Sequence, residues 1–145
     1  MYLYHATDRK NLESIKKNGL LIHPPHHNWE GMYCDDQIFL ALNAEAALSY
    51  AESAENPPDD IVVLKVKLED LHQQSFYYDW NNRCEYRTDI NSCVYHLDIP
   101  GQLLQECNPN DEPDQNIDDF KDTDLWEIVL CVFEEQVLTN KENYY

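Results

Sequence analysis

Short apolar segments that switch between extended and helical character predict a single domain of the α+β class. Three observations carry this expectation. Residues 2–71 read as strand, helix, strand, helix and strand, and residues 75–100 are aromatic and β-branched with no helical period. The third is size: 145 residues, 43% hydrophobic and 12% aromatic, suit one domain with a buried core.

Each element has a local reason. "YLYHA" is a strand by its aromatic and apolar content, and Thr7 or Asp8 can cap a helix that carries Leu12 and Ile15 on one face. Asn18-Gly19 stops that helix. "LLIHPPHHNWEGMYCDD" has two prolines and no sustained period, so it reads as a loop. "QIFLA" is a short strand, after which Asn43 caps the alanine-rich "AEAALSYAESA" and "NPPDD" ends it.

Further on, "IVVLKVKL", "SFYYDW", "CEYRT" and "CVYHLDI" are strand candidates, and "GQLLQE" after Pro100 is a single helical turn. Residues 108–124 are polar, acidic and of low complexity and read as a loop, whose order the sequence leaves open. "LWEIVLCVFEE" is the most apolar segment and is expected as a central strand. The domain is therefore placed at 1–136, with a C-terminal tail at 137–145.

Charge and composition exclude several classes. A net charge of −18 opposes unaided binding to nucleic acid or an anionic membrane, and favours a small ligand or a basic protein partner. Arg9, Lys10, Lys16 and Lys17 gather near the N-terminus, whereas Lys121 is the one base within the acidic stretch 106–135. No apolar run reaches the roughly 20 residues that cross a bilayer, and no basic-then-apolar leader opens the chain. Cys34, Cys84, Cys93, Cys107 and Cys131 are odd in number and lack a CxxC pair. A soluble, cytoplasmic protein with free thiols is expected.

Common chemical motifs are missing. There is no GxGxxG or GxxxxGK[ST], and three glycines are too few for a glycine-rich phosphate cradle. "HPPHH" matches no zinc template, and Asp114, Asn116 and Asp118 begin a calcium-loop pattern that Asp119 and Leu125 then break. No metal is expected.

One arrangement does stand out. "YHATDRKNLESIKKNGL", then "IFLALNAEAALSY", then "VVLKVKLEDL" resembles the ADP-ribosyltransferase fold of diphtheria toxin and the poly(ADP-ribose) polymerases, shared by the RNA 2′-phosphotransferases. His5-Ala6-Thr7 matches that superfamily's first strand, Gly19-Leu20 its helix end, and Phe39 and Tyr50 its two aromatics, over residues 2–71. The resemblance implies a split, mostly antiparallel β core and an NAD-dependent mono-ADP-ribosyltransferase acting on a protein or other macromolecule. It also implies roles: His5 on a ribose of NAD, the Ala6 backbone on the nicotinamide amide, Tyr50 and Phe39 against the nicotinamide ring. Thr7 belongs to the same motif, and Arg9 is a candidate for the pyrophosphate.

Glu85 in "CEYRTD" resembles the family's catalytic glutamate. A second alignment takes "SCVYHLDIP" as that strand and puts Ser92 at the glutamate position. It also brings in the RNA 2′-phosphotransferase branch, for which Arg9, Arg83 and Arg87 are the available cations. A third reading needs no catalysis: an acidic inhibitor or nucleic-acid mimic on a transferase-like scaffold.

Overall fold

The computed structural model describes residues 1–22, 37–79, 86 and 89–127. Strand β1 (Tyr2–Asp8), helix α1 (Leu12–Asn18), strand β2 (Ile38–Ala41), helix α2 (Ala44–Glu52) and strands β3 (Ile61–Lys67), β4 (Phe76–Tyr77), β5 (Ser92–Tyr95) and β6 (Gln105–Cys107) follow in order. The six strands form one antiparallel sheet, ordered β4-β5-β2-β1-β3-β6. This is the α+β class that the sequence predicts.

The pleat divides the sheet's two faces. Leu3, Ile38, Leu40, Val62, Leu64, Cys93 and Tyr95 join the larger core with Ile15 of α1, while Tyr4, Ala41 and Val63 meet Ala44 and Ala47 of α2 on the other face. Asn43 starts α2, its Oδ1 accepting the Ala46 N–H at 2.8 Å. Alanines then let the helix lie close to the strands. Gly19 ends α1 at φ +85°, and a Cβ there would sit 2.3 Å from the Ile99 carbonyl, which pairs with Leu20.

The pairing is uneven. β1 holds β3 over its whole length, from Tyr2 opposite Lys67 to Asp8 opposite Ile61, and β2 holds β5 from Ile38 opposite Tyr95 to Ala41 opposite Ser92. Between β1 and β2 the register holds only at Tyr4 opposite Ala41. The sheet is thus two three-stranded halves joined by a seam.

A side chain closes one end of that seam. Gln115 is buried, and its Nε2 donates to the carbonyls of Tyr2 at 2.9 Å and Leu42 at 2.8 Å. Asn43, the α2 cap, donates to the Gln115 carbonyl at 3.3 Å. The loop at 108–124 is thereby tied to the sheet, although most of its residues are exposed. Ile117 and Phe120 reach the core, and Lys65 Nζ lies 2.7 Å from Glu112 Oε1 and 3.3 Å from its Oε2. The calcium-like spacing is a capping box: Asn116 Oδ1 accepts from the Asp118 N–H, and Asp119 Oδ2 accepts from the Asn116 N–H.

Two other expectations change. "GQLLQE" is a 3-10 turn at Gly101–Leu103 followed by β6, because the free edge of β3 recruits Gln105–Cys107. At the start of the last apolar run, residues 124–127 are helical rather than extended, with Thr123 Oγ1 accepting the Trp126 N–H at 3.4 Å. The sheet centre belongs to β2 and β1. The remainder of that run, the strand candidate at 84–88 apart from Tyr86, the "HPPHH" loop and the tail at 137–145 lie outside the described residues.

Gln115→Met keeps the side chain's length and removes both donors, leaving one buried and one half-buried carbonyl without them. The expected loss is about 2–6 kcal/mol, at roughly 1–3 kcal/mol per unsatisfied group, read from urea unfolding midpoints. An unchanged midpoint would show that the seam closes without Gln115.

Candidate functional site

The other end of the seam holds His5. Its Nδ1 lies 2.8 Å from the Phe39 carbonyl on β2. A carbonyl only accepts, so Nδ1 carries the proton and the remaining lone pair is on Nε2 when the ring is neutral. Burial pushes the imidazole pKa below its ordinary value, against a smaller upward pull from the Phe39 carbonyl. His5 is thus a neutral ring whose Nε2 is an acceptor with no partner among the described residues.

This explains the polar residue on a core strand. Where β1 and β2 part, the Phe39 carbonyl lies beyond the reach of the backbone ladder, and an unpaired buried carbonyl is costly. The imidazole supplies the donor. It spans the seam much as Gln115 does at the far end.

Two aromatics of the predicted site lie on the α2 face of the sheet. Phe39 alternates with the core residues Ile38 and Leu40, which puts it on the α2 side with Ala41, and opposite Val94 of β5. Tyr50, near the C-terminal end of α2, packs against the same helix-side cluster and donates its hydroxyl to Asn91 Oδ1. Ala6 borders that cluster too. Ala6, Phe39 and Tyr50 thus share the α2 face, whereas His5, between Tyr4 and Ala6 and opposite Leu64, belongs to the other face and meets this group only through the Phe39 carbonyl.

Two candidates are occupied elsewhere. Thr7 is buried and its Oγ1 accepts from Asn11 Nδ2 at 3.3 Å, which ties β1 to the following turn. Arg9 is exposed at the β3–β6 side, with Nη1 2.8 Å from Glu106 Oε1 and Nε 3.3 Å from Asp60 Oδ2. Glu85, Arg83 and Arg87 lie outside the described residues.

The sequence reading named Ser92, at the glutamate position of the second alignment, but not its buried partner Asp79. Ser92, at the start of β5, donates from Oγ to Asp79 Oδ2 at 2.9 Å, and each residue is 6% exposed. Ser92 faces Ala41 and so belongs to the α2 side. A carboxylate just past a two-residue strand is a weak sequence signal, because Asp is common where strands end. Cys93 beside it is buried, and burial together with Asp79 pushes its thiol pKa up, so it is an inert core thiol.

A scan of the chain against protein-family models and a search of curated proteins return no match. The site is consequently read from its own geometry. No helix among the described residues is long and apolar enough to cross a membrane.

The lowered pKa of His5 sets a sign for acid stability. Above the unfolded value of about 6.5 both states are neutral and the group contributes no pH dependence; below it the unfolded ring takes a proton that the folded ring resists. Stability should therefore fall as pH drops from about 6.5, and His5→Gln should flatten that part of the curve. Long-range ¹H–¹⁵N spectra at pH 7 should show the Nδ1–H tautomer, and an Nε2–H signal would contradict the assignment.

Proposed function

We propose that this protein is an NAD-dependent mono-ADP-ribosyltransferase of ADP-ribosyltransferase-like fold, acting on a protein or other macromolecular acceptor. One observation carries the reading: a neutral histidine with an acceptor nitrogen stands at an open strand seam, its other ring nitrogen held by the Phe39 carbonyl. Nε2 of His5 accepts from a ribose hydroxyl of NAD. The Ala6 backbone holds the nicotinamide amide, and Phe39 and Tyr50 lie against the ring, a contact worth about 1 kcal/mol beyond area burial.

In the reaction the bond from ribose C1′ to the nicotinamide nitrogen breaks, and nicotinamide leaves with the electron pair. An acceptor nucleophile then bonds to C1′ and gives up its proton. The intervening state resembles an oxocarbenium ion, which a nearby carboxylate stabilises. Glu85 is the candidate for that carboxylate.

Arg9's engagement by Glu106 and Asp60 weighs against the RNA 2′-phosphotransferase alternative, as does a net charge of −18. A cytoplasmic location fits the free thiols of Cys93 and Cys107.

Calorimetry should give NAD binding for the wild type and at least tenfold weaker binding for His5→Ala and Tyr50→Ala, with circular dichroism confirming that all are folded. Glu85→Gln should keep NAD affinity and lose transfer of labelled ADP-ribose. A wild type that ignores NAD, yet binds basic proteins with an affinity that collapses as salt rises, would replace this reading with the acidic binding protein.

A further inference from the structure

We propose that Asn11 is a positioning residue for the ligand of His5: it fixes the Thr7 hydroxyl as a hydrogen-bond donor beside the histidine's acceptor nitrogen. The inference rests on the NAD reading above and adds a residue to it.

β1 alternates between the faces of the sheet, so His5 and Thr7 share the side of Leu3, opposite Leu64 and Val62 of the larger core. Their Cα atoms are about 7 Å apart, at roughly 3.4 Å per residue. His5 presents a lone pair there, since its proton is held by the Phe39 carbonyl.

Thr7 is the complementary group. A hydroxyl rotates to donate or accept as its surroundings require, so alone it discriminates poorly between partners. An amide nitrogen only donates, and Asn11 Nδ2 lies 3.3 Å from Thr7 Oγ1. That contact takes a lone pair and leaves the proton, which has no acceptor among the described residues although Thr7 is only 6% exposed. A buried donor in that state is costly until something accepts from it.

Asn11 is available for this because another residue caps the turn. Asp8 accepts the Lys10 N–H at 3.1 Å, and the Asn11 side chain makes no cap bond at the start of α1. Its amide turns back to the strand instead. An acceptor and a donor two residues apart on one strand suit the neighbouring hydroxyls of a ribose, one donating to Nε2 of His5 and the other accepting from Thr7. Asn11 acts on the sugar through the threonine.

The test is a double-mutant cycle on NAD affinity, measured by calorimetry, with thermal unfolding confirming that each variant is folded. Thr7→Val keeps the shape without the hydroxyl and should bind NAD about tenfold more weakly than the wild type, whereas Thr7→Ser keeps its affinity. Asn11→Asp puts a carboxylate where the donor was and draws the Thr7 proton away from the ligand. It should also lose about tenfold, and nothing further in the Thr7→Val background. Asn11→Ala should lose less than Asn11→Asp, because it frees the hydroxyl without reversing it; a residue that only braces the turn would give the opposite order. Losses that multiply in the double variant, as an effect of the added charge alone would, or single variants that match the wild type, would overturn the role of Asn11 and leave wild-type NAD binding to speak for the enzyme. No NAD binding by the wild type would overturn both. If Thr7→Val does not fold, Thr7→Ala takes its place in the cycle.

Discussion

The structure depends on an interruption in its own hydrogen-bond ladder. β1 and β2 lie at the centre of the sheet, where a continuous ladder would be the most stable arrangement, yet they hold register at one residue pair. Each half of the sheet is well paired on its own, and α2 packs across β1, β2 and β3 on one face, so the interruption does not split the domain. What the ladder leaves unpaired must be satisfied by side chains. Gln115 does this at one end and His5 at the other.

The two closures differ in what they leave behind. Gln115 spends both amide protons on backbone carbonyls, so its end of the seam is sealed and draws the 108–124 segment onto the sheet. His5 has two ring nitrogens and uses one. A group that satisfies the fold with half its capacity and keeps the other half is suited to a ligand. Burial adds to this by favouring the neutral ring, in which Nε2 is an acceptor.

Neighbouring polar groups are anchored as well. Tyr50 anchors its hydroxyl on Asn91, and Ser92 anchors its proton on Asp79. Fixing such groups reduces the rotamer freedom that binding would otherwise remove. By contrast, Tyr4 keeps a buried hydroxyl without a hydrogen-bond partner among the described residues, and burial with Glu112 nearby pushes its pKa up to about 12. It is a neutral core ring, while Lys65 rests 4.5 Å over the ring of Tyr2 and holds Glu112.

The sequence by itself determined the local elements: the first strand, Asn43 as a helix cap, Gly19 as a helix stop, and the strands at 38–41 and 61–67. These follow from side-chain chemistry acting within a few residues. Only tertiary structure decided the rest. Gln105–Cys107 became a strand because β3 had a free edge, and within the acidic segment Gln115 bonds carbonyls more than seventy residues away in the chain while Ile117 and Phe120 join the larger core. The pairing of Ser92 with Asp79 and the gap that His5 bridges are likewise products of strand order. Hydrogen bonds between distant segments leave no periodicity in the sequence, so the features that give this site its chemistry are the ones that the chain alone conceals.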